Sequence, residues 1–321
     1  MSEAFCRSTT IAGHELQWFE EIGSTNSYLV AEVKRACSAG RSTGYGPTGS
    51  AGTGTAAGTE ECRARRVAAA GSGARVESWR ETGVPGLVAV ADYQSDGRGR
   101  LDRRWEAPKG RCLLASIVLP ELLAAQDLHL AVMATGLAVK QACEEVAGLG
   151  VDLVWPNDLY VGASKLAGCL AEAVAAGEHG VGPAGEALFA VVAGIGLNVS
   201  WPRSRSAGPS GSRQATSILL ETGRAVSRTA LLEGILAGID AWMGGMQAAG
   251  WRERTVGGYR SRCVTLGRVV EARLVTGETV AGPAVDLDED GCLVIDAGRT
   301  ARRISSGDIV ILGDAERRPE A

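Results

Sequence analysis

Residues 87–111 read LVAVADYQSDGRGRLDRRWEAPKGR. The opening LVAVADY is short, apolar and rich in small and branched side chains, which predicts a buried strand. Six basic residues follow (Arg98, Arg100, Arg103, Arg104, Lys109, Arg111), facing only Asp96, Asp102 and Glu106. Gly97 and Gly99 loosen the backbone between the first arginines, and Trp105 closes the run. Functional groups collect in loops at the ends of buried strands. The same stretch excludes two common nucleotide folds. A dinucleotide fingerprint needs a third glycine where Asp102 stands, and no Gly-Lys-Ser/Thr triplet occurs anywhere in the chain.

Working outward, ELQWFEEIGSTNSYLVAEVKRACSA predicts a short strand and then a helix capped by Ser24, with Tyr28, Leu29, Val33 and Ala36 on its apolar face. Residues 38–60 hold no Val, Ile, Leu, Met, Phe or Trp and cannot offset their ordering entropy. With the weakly patterned residues that follow, they predict a flexible insertion over 38–86. Beyond the basic loop, strands are expected at 111–120, 151–155, 164–175 and 187–200, and helices at 125–147 and near 228–248. Polar insertions are expected at 177–186 and 202–213. In the strand 164–175, Leu166, Gly168, Leu170 and Glu172 alternate.

From about 262 the texture changes to β-branched runs separated by Thr-Gly, Asp-Glu-Asp-Gly and Ala-Gly turns. That pattern predicts a small antiparallel β-barrel of about five strands. The fold class is therefore α+β, with a domain over 1–258, a barrel over 259–314 and a tail over 315–321.

A net charge of −4 and a pI near 5.6 argue against a dedicated nucleic-acid-binding protein. Only four of 33 basic residues are lysines (Lys34, Lys109, Lys140, Lys165), so a lysine beside a motif is notable. Eight cysteines and three histidines are scattered without zinc-ligand spacing. The N-terminus has no signal-peptide pattern and no run is long enough for a membrane span. The chain is expected to be soluble and cytoplasmic, with no membrane or nucleic-acid partner.

Four further features end buried elements: Ser24-Thr25-Asn26, Trp155-Pro156-Asn157-Asp158, Lys165-Leu166-Ala167-Gly168, and Gly194-Ile195-Gly196-Leu197-Asn198. Each alone reads as an ordinary cap, turn or strand edge. In this order, with the basic loop, the chain resembles the biotin–protein ligases. The likeness is carried by ADYQSDGRGR with its downstream Trp, by WPND, KLAG and AE, and by GIGLNVS, and it extends into the C-terminal strands.

The resemblance implies a class II aminoacyl-tRNA-synthetase-like mixed sheet followed by an SH3-like barrel. It implies ATP, biotin and Mg2+ as cofactors, with metal ligands that cannot be read from the sequence. Biotin is activated to biotinyl-5'-AMP and passed to a lysine of a biotin carboxyl carrier protein. Biotin carboxylate and ATP phosphates are both anionic, so cations on a closing loop neutralise their repulsion. By resemblance, Ser24, Thr25, Asn26, Gln94, Arg98, Gly99, Arg100, Lys165 and Gly168 bind biotin, with Lys165 and Arg100 catalytic. Arg103, Trp105, Asn157, Asp158 and Asn198 bind the nucleotide. A sheet-edge homodimer is a further option within the family.

There are two departures. Asp102 stands where the family has glycine, which stiffens the loop and adds a negative charge beside Arg103. Val154 stands where the family has lysine, and the missing cation is expected to slow adenylation. About twenty residues precede Ser24, which is too short for the DNA-binding domain of some relatives, so no operator binding is expected. Lipoate–protein ligase and octanoyl transferase share the fold and are the alternative, the latter with Cys169 as the nearest cysteine. A degenerate biotin-binding protein is the other.

Overall fold

The computed structural model describes residues 5–39, 78–101, 103–182, 184–202, 214–244 and 250–314. Asp102, residues 40–77 and 203–213, and the tail over 315–321 lie outside these residues.

The larger unit is a nine-stranded mixed sheet. Strands β1 (Phe5–Ile11) and β2 (His14–Phe19) form a hairpin that sequence patterning did not separate. It turns through Ala12 and Gly13, both at positive φ, as a two-residue hairpin requires. Then come β3 (Val88–Ala91), β4 (Cys112–Val118), β5 (Leu123–Ala124), β6 (Asp152–Val154), β7 (Asp158–Val161), β8 (Ser164–Ala175) and β9 (Leu188–Asn198). The sheet order is β1-β2-β3-β4-β9-β8-β7-β6, with β5 also on β9. Only β2 and β3 run parallel within it.

Strand residues point alternately to the two faces, and the sequence keeps two separate cores on that period. On one face, Val88 and Val90, Leu113, Ala115 and Ile117, and Val191, Ala193 and Ile195 pack under helices α2 (Leu128–Ala147), α4 (Arg228–Met243) and α5 (Trp251–Arg260). A short helix α3 (Ile218–Thr222) lies between. On the other face, Ala89, Ala91, Val118, Ala190 and Val192 pack against α1 (Thr25–Ala39). Leu29 and Val33 are fully buried and Cys37 nearly so, at a four-residue spacing that makes one stripe. Each aliphatic burial contributes about 1.5–3 kcal/mol.

Residues 78–86, expected within the insertion, are packed. Trp79 is completely buried beside Val84 and Leu87, so 78–86 is part of the core beneath α1 and not of a flexible insertion. At the other end, residues 38 and 39 complete α1. The expected insertion at 177–186 holds a 3-10 turn, Gly177–His179, and a bridge from Val181 to Ala187. The helix expected over 125–147 begins as a 3-10 turn, Ala125–Asp127, and the one expected to reach 248 ends at Met243.

The C-terminal unit is a five-stranded antiparallel sheet: β10 (Arg268–Arg273), β11 (Thr279–Leu287), β12 (Leu293–Asp296), β13 (Ala301–Ile304) and β14 (Asp308–Asp314), in the order β13-β12-β11-β10-β14. Its first strand starts nine residues after the expected boundary at 259, because α5 runs on to Arg260. Trp155, 2% exposed, ties the two units together. Its indole Nε1 donates to the Gly291 carbonyl and its backbone N–H to Thr265 Oγ1. No helix among the described residues is long and apolar enough to cross a membrane.

Candidate active site

Beyond Ala190 and Val192, the α1-facing side of β9 changes character to Gly194, Gly196 and Asn198. Register sets what lies beside them. Gly196 sits between Leu114 of β4 and Gly168 of β8, and Gly168 in turn pairs with Asp158 of β7. One row of the sheet is thus Leu114, Gly196, Gly168, Asp158 and Val154, bare in the middle. Trp105 lies on the bare part. A Cβ on Gly196 would come within 2.5 Å of its indole, and one on Gly168 within 3.3 Å. Only glycine admits so close an approach.

Lys165 reaches this floor through a β-bulge. Pairing of β7 and β8 shifts register between Leu159 and Tyr160, so Leu166 and Ala167 both enter the helical core and Lys165 joins the face of Gly168. This corrects the simple alternation, which placed Leu166 with Gly168. The Lys165 backbone is held on both sides, N–H to Gln214 O at 2.7 Å and C=O from Thr216 N at 2.9 Å. Its Nζ lies 2.7 Å from Asp158 Oδ1 and 5.6 Å from the Trp105 ring centroid.

The basic loop folds as a narrow hairpin over this floor. Trp105 N donates to Gly97 O, Gly99 N to Arg103 O, and Arg98 bridges Arg104. Gly97 is required, since a Cβ there would lie 2.3 Å from the Trp105 carbonyl. Arg98 pairs with Glu172 at 2.8 Å. Arg100 NH1 donates to Asn157 Oδ1 at 3.1 Å and to Gly307 O at 3.3 Å. Burial lowers the Arg100 pKa from its usual value, against the raising fields of Asp308 and Asp158. Arg103, largely exposed, pairs with Asp308. The three arginines therefore rest on three different elements: β8, the β6–β7 turn and the start of β14. Val154, 3% exposed, stands opposite Asp158; Lys165 reaches Asp158 and Arg100 reaches Asn157 beside it.

Both feet of the loop are fixed. Gly110 N donates to Asp92 O. The Arg228 guanidinium, from the first turn of α4, donates to Asp92 Oδ1 at 2.7 Å and to Cys112 O at 3.3 Å. Neither Asp92 nor Arg228 stood out in the sequence.

The far end of the floor is polar and closed. Residues 93–96 run alongside 22–23, which sets Gln94 beside Ser24-Thr25. Gln94 Oε1 accepts from Thr25 N at 2.8 Å and lies 3.2 Å from Thr25 Oγ1. Thr25 Oγ1 meets Ser116 Oγ at 2.7 Å, Ser116 donates to Asn26 Oδ1, and Asn26 Nδ2 donates to Glu172 Oε2 at 2.9 Å. Ser24, 5% exposed, caps α1 through Ser27 N. Ser116 and Glu172 are residues that sequence reasoning missed. Ser116 is the lone hydroxyl in an otherwise apolar strand run, which was the available signal.

Asn157 and Asn198 are brought to the floor with their amides already engaged. Asn157 Nδ2 donates to Cys169 O and Asn198 Nδ2 to Thr216 O, while Asn198 Oδ1 faces Cys112 Sγ at 3.5 Å. Cys169 is 2% exposed in the helical core, and burial pushes its thiol up to about 12, which leaves it no nucleophile. Among the described residues no group of three His, Cys, Asp or Glu could hold a metal ion.

A glycine floor, a polar closed end and four cations around an aromatic lid make a site for a slim ligand with an anionic end. Residues 75–192 match the biotin/lipoate A/B protein ligase family, and residues 265–312 match the biotin protein ligase C-terminal domain. The biotin–acetyl-CoA-carboxylase ligase of Mycobacterium tuberculosis is 30% identical over 236 residues, 71% of this chain and 80% of that one. The bifunctional ligase/repressor BirA of Bacillus subtilis is 28% identical over 225 residues, 70% of this chain, which spans 66% of that relative's length. In fold, the biotin protein ligase of Aquifex aeolicus in complex with biotin and ATP matches with a TM-score of 0.61 at 22% identity, over 93% of this chain and 99% of that one. The chain belongs to the biotin protein ligase family.

Proposed function

We propose that the chain is an ATP-dependent biotin–protein ligase. Biotin carboxylate attacks the α-phosphorus of ATP, forming biotinyl-5'-AMP and releasing pyrophosphate. The amine of a carrier-protein lysine then attacks the anhydride carbonyl, forming the amide and releasing AMP. The observation that carries this reading is Lys165, which a bulge brings to the glycine floor beside Trp105 of the lid.

In this reading the floor of Gly168 and Gly196 takes the slim arm of biotin, and Thr25, Asn26, Ser116 and Gln94 take its polar head. Lys165 meets the carboxylate and α-phosphate where they react and offsets their repulsion. Arg98, Arg100 and Arg103 exchange their protein acceptors for ligand anions, presenting planar forks to phosphate. Trp105 covers the ligand and, with the lid, keeps water from the acyl-adenylate. Asn157 supports Arg100, and Asn198 the end of β9. Magnesium enters with ATP, and no step here is assigned to it. The unit that ends with α5 at Arg260 is the catalytic domain, and the C-terminal sheet supports the lid at Gly307 and Asp308.

The names of two relatives, biotin–acetyl-CoA-carboxylase ligases, support the biotin carrier of a carboxylase as acceptor. The test is to incubate purified protein with ATP, biotin and an unmodified carrier domain and weigh the product. A mass gain of one biotinyl group at one lysine is expected. A carrier that stays unmodified, or that gains a lipoyl group when lipoate is offered, would sink the reading.

A further inference from the structure

We propose that Glu172 is a positioning residue that couples the head-group end of the pocket to the lid, and so sets which acyl head the site accepts. The inference rests on the ligase reading above. Glu172 carries no role in that reading, yet two structures meet on its carboxylate. Asn26 Nδ2 donates to Oε2 at 2.9 Å from the pocket side, and Arg98 NH1 lies 2.8 Å from Oε1 on the lid side.

The direction of the hydrogen bonds is what gives Glu172 its leverage. An ionised carboxylate only accepts, so Asn26 must present its amide nitrogen to Glu172 and its oxygen to Ser116. The Ser116 hydroxyl then donates to Asn26 Oδ1, which leaves the single Thr25 hydroxyl proton shared between Ser116 Oγ and Gln94 Oε1. The run from Ser116 through Asn26 to Glu172 thus has one polarity, and Glu172 terminates it. Asn26 has no slack with which to respond, because it sits against bare backbone. A Cβ on Gly194 would lie 2.2 Å from its Oδ1. Without Glu172 the amide loses its reason to face one way, the hydroxyls lose their order, and Arg98 loses its seat.

A pocket end with fixed donors and acceptors suits a head such as a ureido ring, with its N–H and C=O groups. A dithiolane or a plain alkyl end cannot pair with the donors and acceptors that this network leaves over, and sites built to hydrogen-bond reject such analogues strongly. Glu172 supplies that rejection at one remove, by holding the groups in order.

The test compares the full chain with Glu172→Gln and Glu172→Ala in ATP–pyrophosphate exchange, offering biotin, lipoate and octanoate as separate probes. Glu172→Ala should raise the KM for biotin about tenfold, the scale of one charge-assisted hydrogen bond, and the KM for ATP about twofold at most. Exchange with octanoate relative to biotin should rise, and trypsin should cut the lid at Arg98 faster. Glu172→Gln offers one oxygen to two donors, so it should show the same split in smaller measure, and it carries the test if the alanine variant does not fold. Unchanged biotin KM and discrimination, or equal rises in both KM values, would overturn the role of Glu172. A wild-type chain that exchanges nothing with biotin would instead overturn the ligase reading itself.

Discussion

The ammonium of Lys165 rests on Asp158, with Nζ 2.7 Å from Oδ1, and a β-bulge one residue further on lets it do so from the face of Gly168. Both side chains are partly open to solvent, so the pair adds little to stability. Its effect is orientation. Asp158→Ala frees a long flexible side chain, and single-turnover formation of the adenylate should slow about tenfold. Asp158→Asn, which still accepts a hydrogen bond, should slow it less. Equal rates in all three proteins would remove Asp158 from the account.

The glycine floor makes a graded prediction. Gly196→Ala places a methyl 2.5 Å from the Trp105 indole, whereas Gly168→Ala places one 3.3 Å from Lys165 Nζ and from the indole. The first should abolish exchange. The second should leave a measurable rate, because the end of the lysine chain can yield. Titrating biotin binding by calorimetry checks the order, and a Gly168 variant weaker than the Gly196 variant would contradict it.

Arg228 and Asp92 hold the feet of the lid from outside the site. Arg228→Ala should raise the KM for ATP about tenfold while thermal stability changes by roughly 1 kcal/mol. Adding Asp92→Ala should cost little more, since both substitutions break one contact. Full additivity of the two in a double-mutant cycle would show that the clasp does not act as a unit.

Burial pushes the thiols of Cys112, Cys143 and Cys169 from an ordinary 9.0 up to about 12. Between those values the unfolded chain has released protons that the folded chain keeps. The unfolded state then binds fewer protons, and stability falls as pH rises from about 9 towards 12, by up to about 1.4 kcal/mol per pH unit for each thiol. Thermal melts from pH 8 to 10.5 should show this decline, and Cys→Ala replacement at the three positions should flatten it. An unaltered slope would contradict the assignment. Native protein at pH 7.5 should also resist iodoacetamide at Cys169.

What was legible in the sequence follows from where information is local. The bounds of strand β8 were readable because Ser164–Ala175 combines the alternation of Gly168, Leu170 and Glu172 with a motif at its start. The lid was readable because its charge is anomalous for the composition. Glu172 and Ser116 were harder, since their meaning arises from cross-strand register with α1 and β9, which no single segment encodes. The same holds for the Arg228 clasp, whose partners lie over a hundred residues away. Trp79 was misread because one aromatic in a polar stretch makes no periodic pattern, yet it fills the core under α1. The bulge at Lys165 was invisible too: KLAG alternates on paper, and only the pairing with β7 reveals the extra residue.

The most direct measurement is exchange of labelled pyrophosphate into ATP by the purified chain, with biotin, lipoate and octanoate offered separately beside a Lys165→Ala control. Exchange that requires biotin and falls by at least about a hundredfold in the control is the predicted result. Exchange supported by lipoate or octanoate in place of biotin, or exchange undiminished without Lys165, would contradict the account at its centre.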